Sequence, residues 1–188
     1  GATTLTPTYV AAAGDAGKTI SLTMTVTSNN VCNPQTASAI YAIKVDSLPI
    51  AITGGGATIC ENSTTTVTGA SSKNGNIAWI ENGAGSITSG GNTLSPVYTA
   101  SHADVGNTIL LTMTVTSTNT CAPNTATATY TINVDPLPMA NSTGNQTICA
   151  NQSATMNGAT SANGSILWTH NGSGSITSGA TALNPTYT

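Results

Sequence analysis

Asn107-Thr-Ile-Leu-Leu-Thr-Met-Thr-Val-Thr-Ser-Thr-Asn-Thr-Cys121 places Ile109, Leu111, Met113 and Val115 at every second position, with Leu110 and threonines between them. Strict period two with one apolar face predicts a half-buried β-strand. The same strand occurs earlier as Lys18-Thr-Ile-Ser-Leu-Thr-Met-Thr-Val-Thr-Ser-Asn-Asn-Val-Cys32, where Ile20, Leu22, Met24 and Val26 take the corresponding places. Met113 follows Met24 by 113 − 24 = 89 residues, and Cys121 follows Cys32 by 121 − 32 = 89.

The period runs through the whole chain. Leu5, Leu94 and Leu183 share it, as do Pro7, Pro96 and Pro185, and Tyr9, Tyr98 and Tyr187. Cys60 recurs as Cys149 and Trp79 as Trp168, with no insertion or deletion. Internal repetition at a fixed period is the mark of an array of like units. Boundaries fall at Val45-Asp-Ser-Leu-Pro-Ile-Ala51 and Val134-Asp-Pro-Leu-Pro-Met-Ala140, where a proline stops the strand ladder. Residues 50–138 are therefore predicted to form one complete repeat, 1–49 the back part of another and 139–188 the front part of a third. Because the chain starts Gly1-Ala2, it is expected to be a window from a longer processed protein.

Within 50–138 the pattern predicts about seven strands and no helix: 57–59, 64–69, 77–80, 86–89, 93–99, 107–121 and 125–134. Asn82-Gly83 is a hairpin signal because both residues accept positive φ; Lys73-Asn-Gly75 marks another turn. The expected fold is all-β, a tandem array of Ig-like antiparallel sandwiches. Trp79, Trp168, Tyr98, Tyr130 and Met113 are expected in their cores, since Trp79 and Trp168 alternate with Ile77 and Ile166.

Charged residues are 5% of the chain, the net charge is −3, and there is no Arg and no Phe. Without a basic cluster there is no electrostatic footprint for nucleic acid. No apolar run reaches the roughly 18 residues of a membrane-spanning helix, so no membrane insertion is expected.

Several elements together resemble a known type of domain. These are Thr-Ile-Cys60, Trp79 on the third strand, Tyr98-Thr-Ala-Ser-His-Ala-Asp-Val-Gly106, Cys121, and the closing strand to Val134-Asp-Pro-Leu-Pro138. The pattern resembles the PKD-like and Ig-like repeats of large Bacteroidota cell-surface proteins, including gliding-type adhesins. That resemblance implies an extracellular or cell-surface location, a disulfide within each repeat, and stacking of domains without calcium.

The four cysteines include no CxxC pair, which speaks against zinc, and outside the cell disulfides are the natural state. Cys60–Cys121 is the only pair that one complete repeat can make, leaving Cys32 and Cys149 to partners outside the window. Closing 121 − 60 = 61 residues would stabilise by about 4 kcal/mol in the chain-entropy model. Cys32–Cys60, joining neighbouring repeats, is the rival pairing, and energy does not decide between them.

Other candidates carry little chemistry. Asp15 and Asp104 lie in Gly-Asp-Ala-Gly and Ala-Asp-Val-Gly turns, where a carboxylate accepts backbone N–H bonds; no second carboxylate recurs nearby to build a calcium site. Asp46-Ser47-Leu48 resembles a Bacteroidota O-glycosylation motif, making Ser47 a candidate site, although Pro136 lacks the hydroxyl in the next copy. His102 and His170 occupy different repeat positions and are expected at the surface. Glu61 and Glu81 become Ala150 and His170, which removes any repeated carboxylate pair. The expected function is a non-enzymatic structural segment of an extracellular stalk, fibre or filament, without cofactor or metal. Its expected partners are neighbouring repeats and neighbouring chains. A carbohydrate-binding or adhesive module that contacts glycans directly is the second reading.

Overall fold

The structure is a computed structural model that describes residues 3–188. It is all-β, with two single turns of 3-10 helix at Ala13–Asp15 and His102–Asp104. No strand pairing crosses from 1–49 to 50–138, or from there to 139–188.

Residues 50–138 form a complete sandwich of nine strands, two more than the pattern suggests. The first strand divides into β3 (Ile50–Ile52) and β4 (Gly56–Cys60), on either side of a glycine run. Gly55 has φ +74°, a left-handed conformation that glycine adopts without penalty. This bend lets β3 pair antiparallel with β6 (Ser71–Lys73), while β4 crosses to the other sheet. There β4 runs parallel to β11 (Thr125–Asp135), which pairs with β10 (Thr108–Ser117) and so with β7 (Gly75–Glu81). The facing sheet orders β5 (Thr64–Thr66), β9 (Val97–Thr99) and β8 (Ser86–Ser89). Only 97–99 of the expected strand 93–99 is laddered, and Leu94 is exposed.

The period-two face of β10 points inward as its sequence requires: Ile109, Leu111, Met113 and Val115 are buried. Tyr130, Ile132 and Val134 join them from β11, Trp79 from β7, and Val67 and Tyr98 from the opposite sheet. The Trp79 indole N–H donates to the Thr93 carbonyl (2.8 Å), which satisfies the one polar group that the ring brings into the core.

The flanking segments are halves of the same design. β1 (Thr19–Thr27) and β2 (Thr36–Lys44) pair with Met24 opposite Ala39, as β10 and β11 pair with Met113 opposite Ala128. Met113 and Tyr130 are 0% and 3% exposed, whereas Met24 and Tyr41 are 51% and 71% exposed. At the other end are β12 (Met139–Asn141), β13 (Ala154–Thr155), β14 (Thr160–Ala162), β15 (Ile176–Ser178) and β16 (Thr186–Tyr187). They reproduce β3, β5, β6, β8 and β9, down to the bulge between Ile176 and Ser178 that matches Ile87 and Ser89, whereas the counterparts of β4 and β7 form no strand. Trp168 makes its counterpart bond to the Ala182 carbonyl (2.8 Å). It is nevertheless half-exposed rather than in a core, because the segment 139–188 ends before any counterpart of β10 or β11.

The expected disulfide is not formed; all four cysteines are free thiols. Cys60 ends β4 opposite Asp135, the last residue of β11, whereas Cys121 precedes the start of β11 at Thr125. The length of that strand separates them by about 33 Å, at about 3.3 Å per residue. A disulfide needs Cα atoms roughly 4.4–6.8 Å apart. Cys32, in the turn before β2, stands at the corresponding pole of the first segment, so the rival pair with Cys60 is not made either.

Candidate functional site

The residues that the fold brings together across the period lie at the junction between repeats. The linker Asp46-Ser47-Leu48-Pro49 leaves β2 and enters the complete sandwich between two of its turns. Asn119, in the β10–β11 turn, is fixed by its own neighbours: its Oδ1 accepts from the Ser117 hydroxyl (2.7 Å) and the Cys121 N–H (2.9 Å). Its Nδ2 is thereby aimed at the linker and donates to the Ser47 carbonyl (2.8 Å). Thr120 donates through its hydroxyl (2.8 Å) and N–H (3.3 Å) to Asp46 Oδ2, and the Cys121 thiol lies 3.7 Å from the Asp46 carbonyl. The Thr120 hydroxyl and N–H, with Lys44 alongside, hold the Asp46 carboxyl below the usual carboxylate range. Pro49 is buried in the seam and Ser47 is half-buried there.

From the β6–β7 turn, Asn74, at φ +61°, donates through Nδ2 to the Leu48 carbonyl (2.8 Å). Asn163 does the same to the Leu137 carbonyl (3.2 Å) at the second junction, 89 residues on. The linkers are thus held by side chains bonding linker carbonyls, one of the few ways to satisfy the backbone of an extended segment. At the exit pole Glu61 accepts from the Leu137 N–H (3.0 Å) and pairs with His102. The His102 contact first, then the Leu137 N–H, keeps the Glu61 carboxyl below its ordinary range. Spacing could not disclose this pair, because the partners are 41 residues apart.

Asp104 is the buried charge of the repeat, 1% exposed. It accepts from the Tyr98 hydroxyl (2.7 Å) and from the N–H groups of Ser101 (2.8 Å), Ala84 (2.6 Å) and Gly85 (3.0 Å). Burial pushes its pKa up, but the bonds from Ser101, Tyr98, Ala84 and Gly85 outweigh it, and the net shift is downward. Burial and then Asp104 push the Tyr98 phenol up. The turn aspartate therefore ties the β7–β8 loop to the β9–β10 turn as well as closing its own turn. Asp15 accepts from the Tyr9 hydroxyl and the Ala12 N–H in the same manner. Gly83 is required by close approach rather than by positive φ: a Cβ there would lie 2.3 Å from Tyr98 Oη and 2.9 Å from Asp104 Oδ1.

Among the described residues no group of three or more His, Cys, Asp or Glu side chains could hold a metal ion, and no helix is long and apolar enough to cross a membrane. His170 packs edge-on against Tyr187, ring centroids 5.3 Å apart. Compared with known proteins, the chain matches no family model and no curated relative.

Proposed function

We propose that this chain is a structural repeat segment of an extracellular stalk, fibre or filament, acting through the regular stacking of Ig-like sandwiches rather than through catalysis. The observation that carries it is the recurrent junction, in which Asn74 and Asn163 hold successive linkers by the same bond. Side-chain bonds to a linker fix the angle between neighbours, which a flexible tether does not do. A sparsely charged, Thr-rich surface suits a spacer, and the aromatic residues of the complete repeat, Trp79, Tyr98 and Tyr130, are buried. A module that grips glycans directly would present such rings to solvent. Antibody against residues 50–138, applied to intact and permeabilised source cells, tests the placement. Labelling of projections on intact cells is expected; labelling only after permeabilisation overturns it.

A further inference from the structure

Leu137 is the one residue of the second linker, 136–138, that can donate from its backbone. Pro136 and Pro138 flank it, and proline has no N–H. That single N–H goes to Glu61 Oε1 (3.0 Å), in the turn that follows β4 of the complete sandwich. The carbonyl of the same residue accepts from Asn163 Nδ2 (3.2 Å), in the turn that follows β14. Leu137 is thus gripped from both sides of the joint, through its donor by one repeat and through its acceptor by the next.

Glu61 has a partner of its own. Its second oxygen, Oε2, meets His102 Nδ1, from the 3-10 turn before β10. The Glu61 side chain is 10% exposed and that of His102 83%, so the carboxylate is covered between linker and ring while the ring faces solvent. The repeat supplies an internal comparison. Position 61 recurs as Ala150 (61 + 89), and position 102 corresponds to Ala13 (102 − 89). The two departures from the repeat fall in one unit and touch each other there. The other acids nearby are differently engaged. Asp135 ends β11 and accepts the Glu61 N–H on its backbone carbonyl (2.9 Å). Asp104 shares the 3-10 turn with His102, but its carboxylate is turned inward to Tyr98, Ser101, Ala84 and Gly85. Among the described residues His102 is the one basic side chain paired with Glu61; Lys44 pairs with Asp46, and Lys73 lies in β6 beside the entrance strand β3.

We propose that Glu61 and His102 form an acid-released latch on the linker: the ionised carboxylate holds Leu137 and fixes this joint, and protonation of Glu61 frees it while the sandwich stays folded. An ionised carboxylate accepts on both oxygens, and such charge-assisted bonds are the strong ones. A protonated Glu61 keeps one good acceptor for two donors, because an imidazolium at His102 can only donate. Either the ring or the Leu137 N–H then goes without its partner. The His102 contact first, then the Leu137 N–H, holds the Glu61 carboxyl below its ordinary range. The latch is therefore fully present above the unfolded glutamate value of about 4.3 and is lost as pH falls through the lower folded value. Asp104, which ties the sandwich itself together, accepts four hydrogen bonds where Glu61 accepts from one N–H and one ring. A carboxylate that accepts more such bonds keeps its charge to lower pH, so the joint releases before the sandwich melts.

The latch deepens the structural-repeat reading and rests on it only for the use of a fixed joint; the bond itself is read by NMR, independently of surface labelling. Between its two prolines the Leu137 amide is an isolated probe. In the isotope-labelled 188-residue chain it is followed from pH 7 to pH 3, together with the Glu61 carboxyl carbon and the Trp79 indole N–H, which reports the folded core. The Leu137 amide should shift with the same midpoint as Glu61, its order parameter should fall through that step, and the Trp79 signal should persist. Glu61→Ala should speed exchange of the Leu137 amide by about tenfold or more at pH 7 and abolish the acid step. Glu61→Gln keeps an oxygen for the Leu137 N–H, so it should restore protection without restoring the step. His102→Ala should raise the shared midpoint toward the ordinary glutamate range, and Asp135→Asn should leave it in place. A Leu137 amide that ignores the Glu61 titration, follows Asp135 instead, or is released only as the Trp79 signal is lost would overturn the proposal.

Discussion

Replacing Asp104 by Asn tests the buried carboxylate with the least change of shape. Asp104 receives four hydrogen bonds, one on Oδ1 from Ala84 and three on Oδ2 from Tyr98, Ser101 and Gly85. An asparagine that keeps its oxygen at the Oδ2 position turns an NH2 toward the Ala84 N–H, donor against donor. One charge-assisted bond is then lost and the other three become neutral. With bonds to charged groups contributing about 1.5–3 kcal/mol each and neutral ones about 1, the loss should be at least about 3 kcal/mol. The sign with pH follows from the depressed pKa of Asp104. Its contribution is fully present above the unfolded value of about 3.9 and disappears as pH falls through the lower folded value. The wild type should therefore lose stability below about pH 4 more steeply than Asp104→Asn; Asp15, Asp46 and Glu61 supply the remaining acid sensitivity. Urea titration followed by Trp79 fluorescence in a Trp168→Phe background, at pH 7 and pH 3, measures both effects. A loss under about 0.5 kcal/mol at pH 7, or an unchanged acid limb, would refute the reasoning.

Three further outcomes follow from the geometry. Gly83→Ala should destabilise the complete repeat by about 2 kcal/mol or more through overpacking. Gly91→Ala, whose Cβ would come no closer than 3.8 Å to Ile87, should be nearly neutral, and paired thermal melts compare them. Asn119→Ala should leave the melting of 50–138 within about 1 kcal/mol, while the angle between segments broadens; residual dipolar couplings on either side of Pro49 read this, and an unchanged alignment would count against the clamp. His102→Ala should raise the Glu61 titration toward the ordinary glutamate range, since His102 is the largest cause of its depression. A carboxyl-carbon NMR titration shows whether it does.

The strand core was legible because alternation on a pleated strand reports burial directly: Ile109, Leu111, Met113 and Val115 were placed inside from their spacing alone. The junction was only half legible. Asn74 was readable as a turn residue, but its bond to Leu48 spans 26 residues, and that of Asn119 to Ser47 spans 72. Local pattern carries no such distance; the one available signal was that Asn74 and Asn163, like Asn30 and Asn119, keep the period. The cysteines misled for a related reason. Their spacing gives loop length but not the pole of the sandwich, and it is the parallel run of β4 along β11 that sets Cys60 far from Cys121. Gly83 was legible as a turn glycine, although the neighbour that excludes a side chain there, Tyr98, arrives from the opposite sheet.

That parallel run also governs how the repeat responds to tension. β4 lies near the entrance of the complete unit and β11 is its exit, and five residue pairs join them from Gly56 opposite Thr131 to Cys60 opposite Asp135. A force applied along the chain slides the two strands past each other along their own axes. All five pairs are loaded together in shear instead of opening one after another like a zipper. Forced unfolding is governed by the height of the barrier rather than by equilibrium stability, so a repeat of modest thermodynamic stability can still resist being drawn out.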